Sequence, residues 1–254
     1  MVWISADSAF NADSLESPVI GITSDLVRHD SGAHQHKKGQ FLFSEKGAMT
    51  LLLGNQLSVL PPQRLAWIPP NHLHRVMLTE IVGYRSIYID PAYFSDLPEA
   101  LTAPQIWNVS PLLKAVLEVI AESPWETDWD SGRARNWLSV LWDELRYGTL
   151  ESMHLVLPQD YRLQKIDFQQ LPPPLHALTA TVGASEKTIT RIFQKETGLG
   201  YQAWRQQWRL LKAIALLSDD LPLMEVAHQL GFASDTIFAQ FFKRMTGKTP
   251  KQYL

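Results

Sequence analysis

Residues 224–254 constrain the fold more than any other part of the chain, because two short amphipathic segments meet there at a glycine. Gly231 can adopt the positive φ that ends a helix, and Ser234 is a suitable N-cap for the helix that follows. The pattern predicts a helix-turn-helix. The buried face of its second helix is predicted from apolar residues at helical spacing, namely Ile237, Phe238, Phe241, Phe242 and Met245.

The opposite face of this second helix is predicted to be polar. It carries short or hydrogen-bonding side chains and one cation, namely Thr236, Ala239, Gln240 and Lys243. Such a face suits a helix in the major groove of DNA, where amide groups read base edges and lysine meets phosphate. An ordinary helical hairpin with a solvated polar face is the alternative.

A second copy of the pattern lies roughly 48 residues earlier, so the C-terminal part of the chain contains an internal repeat. Gly183 occupies its turn and Ser185 its cap, followed by the apolar stripe Ile189, Ile192 and Phe193. Its polar face carries Lys187, Thr190, Arg191 and Gln194. Residues 202–217 are predicted to form one connecting helix that packs on both copies. Three of its basic side chains are expected to be available to solvent or phosphate: Arg205, Arg209 and Lys212.

The repeat resembles the DNA-binding domain of the AraC/XylS family of bacterial transcription regulators over residues 157–254. The matching stretches are RIFQKETG, RLLKAIALL, VAHQLGFAS and FFKRMTGKTPKQY. Thr179 stands where the family usually has alanine, and Asp235 is an acidic departure that could cap its helix or accept from a cytosine amino group. The resemblance implies an activator or repressor that binds double-stranded promoter DNA, with a homodimer and RNA polymerase as expected partners.

Charge and composition agree with such a protein. Residues 160–254 carry 12 Lys and Arg against 8 Asp and Glu, whereas residues 1–159 carry 11 against 18, so a basic half follows an acidic one. The chain has no cysteine, which excludes disulfides and thiolate metal sites. No signal peptide or membrane-spanning run is recognised, so we expect a cytoplasmic protein without a membrane partner. Residues 1–16 are expected to be a loose leader.

The N-terminal half is predicted to consist of short β-strands between residues 19 and 90. Apolar and β-branched runs are separated there by Gly, Pro and Asn, namely VIGIT, GQFLF, AMTLLLG, QLSVL, RLAWIP, HRVML and YRSIYID. Gly54 and Asn55 form a hairpin signal between two of the runs. Many short strands with regularly spaced turns favour a small barrel or a jelly roll.

Histidines within this region form a candidate site. On a strand, His34 and His36 would point to the same face, because side chains alternate with a period of two. The spacing resembles the two sequence motifs of the cupin family, and the resemblance places His34, His36, Gln40 and His74 on the metal-ligand positions. Gln40 replaces the usual glutamate and Asn71 the usual glycine.

Three interpretations of these residues stay open. A divalent metal could bind His34, His36, Gln40 and His74, although a neutral amide is a poorer ligand than a carboxylate. The same imidazoles could instead line an effector pocket together with Gln40, Trp67 and Tyr88. They could also be core histidines with satisfied hydrogen bonds. Because of Gln40, no effect of a metal chelator on stability is expected.

Two amphipathic helices are predicted to follow, beginning after Ser110 and Ser131, and they are expected to cover the barrel or to dimerise. The predicted fold class is α+β, with a cupin-like barrel or jelly roll at residues 1–105, a helical segment and linker at 106–157, and an all-α domain with two helix-turn-helix units at 158–254. The favoured function is effector-controlled transcription regulation without catalytic residues. The alternative is a cupin metal-dependent enzyme with a helical appendage.

Overall fold

The computed structural model describes residues 10–78, 81–151, 154–168 and 170–253. Among these, residues 10–54 and 60–151 form one compact unit, and residues 55–59 and 154–253 form another. This division differs from the three predicted segments, since the helices of residues 106–151 belong to the first unit and a strand from the N-terminal half belongs to the second. Residues 1–9 of the expected leader lie outside the described residues, and a 3-10 turn at Ala12–Ser14 follows them.

The first unit is built around an antiparallel sheet of five strands, formed in order across the sheet by residues 19–27, 81–89, 39–44, 64–68 and 105–108. All seven predicted strands are present, and the short β8 was not predicted. In chain order the strands are β1 (Val19–Val27), β2 (Gly39–Ser44), β3 (Met49–Leu53), β4 (Gln56–Leu60), β5 (Arg64–Ile68), β6 (His74–Met77), β7 (Ile81–Ile89) and β8 (Gln105–Asn108). Strand β3 pairs antiparallel with β6, which begins at a histidine of the candidate site.

The five-stranded sheet separates an apolar face from a polar one. Its apolar face, which includes Phe41, Trp67 and Ile87, shares a core with helices α1 (Pro111–Ala121) and α2 (Gly132–Tyr147). Helix α1 begins as predicted, with Ser110 accepting a hydrogen bond from the Leu113 amide at 3.0 Å. The other face carries the polar residues that line the candidate site, because neighbouring residues of a strand point to opposite sides.

The second unit contains strand β9 and six helices among the described residues. Strand β9 (His154–Val156) pairs antiparallel with β4 and was not predicted. The helices are α3 (Leu175–Val182), α4 (Glu186–Thr197), α5 (Tyr201–Ser218), α6 (Leu223–Gln229), α7 (Asp235–Thr246) and α8 (Pro250–Tyr253). The tandem helix-turn-helix and its connecting helix α5 are confirmed. No helix in the described part of the chain is both long and apolar enough to cross a bilayer.

The apolar face of α7 is narrower than the sequence predicted. Phe238, Phe241 and Phe242 are buried, and Phe232 packs on the first two of them at centroid distances of 5.5 and 5.0 Å. Ile237 was predicted to be buried with them, and this is wrong, since 48% of its surface is exposed. It lies at the edge of the apolar stripe, where a shift of one residue turns the side chain by about 100°.

Candidate DNA-binding surface and histidine cluster

The two helix-turn-helix units use the same local chemistry. Gly183 and Gly231 adopt φ values of 67° and 70°, a left-handed conformation that glycine reaches without a Cβ clash. Ser185 and Ser234 then cap α4 and α7, accepting from amides three residues later at 3.2 and 3.3 Å. Since each cap satisfies an otherwise free amide, the sequence folds locally into a turn followed by a helix.

Helix α4 presents the polar face that the sequence predicted. Lys187, Arg191 and Gln194 are exposed, and Thr190 is half-buried between them. Together with Leu175, Glu186 and Lys195 they line one concave surface of about 640 Å³. The amide of Gln194 donates to the Gly198 carbonyl at 2.8 Å, so it would have to leave the helix end to reach a base.

Helix α7 presents a smaller polar face. Thr236, Gln240 and Lys243 are exposed, whereas Ala239 is half-buried and lines a separate groove with Leu217 and Pro250. Exposed Ile237 joins this face, which sequence analysis missed. Its position three residues before Gln240 could have revealed this, because residues three apart are neighbours on a helix.

Asp235 does not cap α7 as one interpretation of the sequence proposed, because Ser234 does so. The carboxylate of Asp235 lies in the first turn and accepts from the Thr236 hydroxyl at 3.3 Å. In this position it interacts favourably with the helix dipole.

The three basic residues of α5 are less exposed than expected. Arg205 is buried, and its Nε donates to the Pro172 carbonyl at 2.6 Å. The guanidinium of Arg209 lies 4.8 Å above the Phe232 ring, and desolvation together with the charge of Arg205 lowers its pKa. The prediction that these side chains are available to solvent or phosphate is therefore wrong for Arg205, and only partly right for Arg209 and Lys212, which are both half-buried.

His34, His36 and His74 lie together, with their candidate ligand atoms within 4.8 Å of one another. The pair His34 and His36 is not on a regular strand; only an isolated bridge joins His34 to His74. In each ring Nδ1 is hydrogen-bonded to a backbone carbonyl, which belongs to Gly32, Lys38 or His72. Because a carbonyl can only accept, each Nδ1 carries a proton, and in His34 and His74 Nε2 is the atom left to bind a ligand.

The polar face of the sheet completes this cluster. The side-chain oxygen of Gln40, Oε1, lies 3.1 Å from Nε2 of His36. The side-chain nitrogen of Gln40 lies within 2.8–3.3 Å of the hydroxyls of Ser86, Tyr88 and Tyr84. Burial raises the pKa of both tyrosines, so their hydroxyls stay protonated. Sequence analysis missed Tyr84 and Ser86, although their alternation with Tyr88 on β7 places all three on one face.

Trp67 does not belong to this cluster. It is paired with Phe41 across β2 and β5, and its ring lies 4.5 Å from the Phe41 ring in the core below the helices. Its Nε1 donates to the Leu101 carbonyl at 2.8 Å. The expectation that Trp67 lines an effector pocket with Gln40 is wrong, because the two side chains lie on opposite faces of the sheet.

His74 is the member of the cluster with the most unusual environment. It is 2% exposed, and its Nε2 is buried without a hydrogen-bond partner among the described residues. Desolvation lowers its pKa to about 4, so the ring is neutral at pH 7 and Nε2 presents a lone pair. A buried acceptor without a partner is costly, and a ligand that donates to it would remove this cost.

Asn71 occupies the position where the cupin motif usually has glycine. Its φ of 58° lies in the left-handed region. Asparagine is among the few residues that tolerate this conformation. The turn before His74 therefore forms with asparagine at this position.

These features define a protein of two compact units, one with a β-sheet that carries a cluster of polar side chains and one with two helix-turn-helix motifs. Comparison with known proteins agrees with both parts. Residues 17–131 match the AraC-like ligand binding domain, and residues 178–254 match the helix-turn-helix domain.

Relatives with curated descriptions are transcription regulators. The HTH-type transcriptional regulator NimR of Escherichia coli (strain K12) is 31% identical over 232 residues, which cover 88% of this chain and 82% of NimR. The HTH-type transcriptional regulator RipA of Corynebacterium glutamicum is 37% identical over 71 residues, or 28% of this chain and 22% of RipA. The chain belongs to the AraC-type family of helix-turn-helix transcription regulators.

Among solved structures, ToxT from Vibrio cholerae O395 aligns over 92% of this chain and 94% of its own. Its TM-score is 0.34 and its sequence identity 14%.

Proposed function

We propose that the chain recognises a specific promoter sequence with α4 and α7, and that the first unit controls this binding in response to a small effector. The observation that supports this most directly is that the same local structure, a glycine turn followed by a serine-capped helix, occurs twice. Two glycine turns precede two serine-capped helices with exposed polar faces, and a single helix, α5, connects the two units. Successive major-groove segments on one side of DNA are about 34 Å apart. A continuous helix such as α5 is therefore suited to fix the separation of the two recognition helices, α4 and α7.

Selection from random-sequence DNA tests this proposal. The parent protein should enrich a defined duplex and bind it more tightly than a scrambled duplex in a mobility-shift titration. If no sequence is enriched, the proposal of sequence-specific recognition is contradicted.

Arg191→Ala and Gln240→Ala should each weaken binding to the enriched duplex by about 1–3 kcal/mol, because arginine and glutamine can make bidentate contacts with guanine and adenine. The loss should be concentrated at one or two base positions when single-base variants of the duplex are titrated. Gln202→Ala, which changes an exposed glutamine of α5, is the matched control. An equal loss on all sequences would show that the two residues contact phosphate only.

We infer that the effector binds at the histidine cluster on the polar face of the sheet. The cluster presents two acceptors, Nε2 of His34 and of His74, and the hydroxyl groups of Tyr84 and Tyr88 lie close by. A small molecule with N–H or O–H donors suits these lone pairs. Removal of its donors from water would be offset by partners that are already in place.

A divalent metal fits these residues less well. Gln40 already engages Nε2 of His36, and the cluster includes no carboxylate among the described residues to balance the charge of a cation. For the same reason we propose that the barrel binds its ligand and does not catalyse a metal-dependent reaction. A second copy of the chain and RNA polymerase are further proposed partners, on the basis of the family.

Chelation should therefore leave the melting temperature of the parent unchanged, since a metal stabilises a protein only when it binds the folded state. Gln40→Glu restores the carboxylate of the cupin pattern and should create a zinc site. Zinc at a hundredfold excess over its dissociation constant would then stabilise this variant by about 2.7 kcal/mol. A fall in the parent's melting temperature with chelator, reversed by zinc, would show that the parent itself binds metal.

A further inference from the structure

The segment that leads from β9 into α3, residues 157–168 and 170–174, is hydrogen-bonded along one face of α5. Residues spaced by three and four positions share a face of a helix. Four such side chains of α5 each donate to a backbone carbonyl of this segment or of β9. Tyr201 donates to Pro173, Trp204 to Val156, Arg205 to Pro172 and Trp208 to Phe168, the last three at 2.7, 2.6 and 2.7 Å.

The chemistry of the two surfaces matches. Prolines 172–174 lack an amide N–H, so their backbone can accept hydrogen bonds but cannot donate them. Their rings hold φ near the value of an extended polyproline helix. Pro174 has φ of −60° and ψ of 152°, which are polyproline values. Aromatic side chains with polar tips are the groups that recognise such segments in other proteins. Burial raises the pKa of Tyr201 to about 12, so its hydroxyl remains a donor.

The segment also contacts both helix-turn-helix units. At its start, the backbone amides of Gln159 and Asp160 donate to the Glu196 carboxylate of α4 at 2.7 and 3.0 Å. Near its end, Leu171 lies against the turn of the second helix-turn-helix. A Cβ added to Gly231 in that turn would be only 3.1 Å from Cδ2 of Leu171. The segment is therefore held by α4, by α5 and by the turn before α7.

We propose that this segment, which we call the linker, holds the two recognition helices α4 and α7 at the separation needed for specific DNA binding. It does so through its hydrogen bonds with four side chains of α5, namely Tyr201, Trp204, Arg205 and Trp208. We call the contact the linker clasp. When the hydrogen bonds of the linker clasp are broken, each helix-turn-helix keeps its fold and its basic residues, but the distance between α4 and α7 is no longer fixed. Specific affinity then falls, while salt-sensitive binding to any sequence remains. The inference rests on the proposed function of sequence-specific DNA binding.

The test uses the full chain with two different variants. Trp208→Phe keeps an aromatic ring but removes the donor to the Phe168 carbonyl, and Glu196→Gln weakens the contact at the start of the linker from a half-buried position. Trp142→Phe is the matched control, because Trp142 is buried in the first unit and its Nε1 has no hydrogen-bond partner in the part of the chain that the structure describes. Hydrogen exchange of the linker amides reports opening of the clasp. Mobility shifts on the duplex enriched by the parent, and on its scrambled form, report binding.

Both clasp variants should exchange the linker amides faster and lose specific affinity by about tenfold or more, with affinity for scrambled DNA nearly unchanged. The control should match the parent in both measurements. Faster exchange with full specific affinity would overturn the proposal, as would unchanged exchange in both variants. If the parent itself prefers no duplex over its scrambled form, the proposed function has failed, which is a different outcome from failure of the clasp.

Discussion

Proline at Ala213 should abolish sequence-specific DNA binding by the full chain, while weak salt-sensitive binding survives through the basic residues. Ala213 lies in the middle of α5 and is fully buried. Proline there removes a helical hydrogen bond and clashes with the preceding turn, at about 3 kcal/mol or more. Since α5 contacts both α4 and α6, a kink in it changes the separation of the two recognition helices. The measurement is a mobility-shift titration on the enriched duplex and on scrambled DNA.

Ala203→Pro is the matched control for this experiment. Ala203 is exposed and lies in the first turn of α5, before the first helical hydrogen bond, which Trp204 donates to Gly200. Proline is tolerated in such a position, so this variant should bind like the parent. If the Ala213→Pro variant still distinguishes the two duplexes as well as the parent does, the two helix-turn-helix motifs bind DNA independently and α5 does not set their spacing.

Phe242→Ala should lower the stability of the second unit by about 3–5 kcal/mol, the usual cost of removing a large aromatic side chain from a core. Phe242 is fully buried and contacts the rings of Phe238 and Tyr253 at 6.0 and 5.3 Å. Hydrogen exchange of the α7 amides is the appropriate measurement, because it reports the opening free energy of one unit within a two-unit chain.

Ile237→Ala is the control, since it shortens an exposed apolar side chain of the same helix. Its effect on stability should stay within about 0.5 kcal/mol, as for most surface substitutions. The two variants together test which face of α7 points inward. Equal effects would mean that the observed orientation of α7 is incorrect.

Local patterns were sufficient to predict most of the fold. Strands β1–β7 follow from runs of β-branched and aromatic residues, and α4, α5 and α7 from helical spacing and caps. Strands β8 and β9 have only four and three residues, and their pairing partners lie far away in the sequence. What makes these runs strands is their pairing with β5 and β4, which a local pattern does not show, so neither was predicted.

The candidate sites show the same division between local and long-range information. The resemblance to the cupin motifs placed His34, His36, Gln40 and His74 in one site, and the structure brings them together. The sequence could not show that Trp67 points to the opposite face, because register between β2 and β5 decides this. Nor could it show that Arg205 is buried, since the carbonyl it binds belongs to Pro172, 33 positions earlier.

The pairing of β4 with β9 makes the second unit discontinuous along the chain, since residues 55–59 complete a body otherwise formed by residues 154–253. A fragment cut at residue 158 would lack both strands, and with them the Val156 carbonyl that accepts from Trp204. The same holds for chimaeras. An exchange of DNA-binding halves between relatives at a single junction would pair one parent's β4 with the other's β9. A functional chimaera of this architecture therefore needs a β4 and a β9 that can still pair with each other across the two parents.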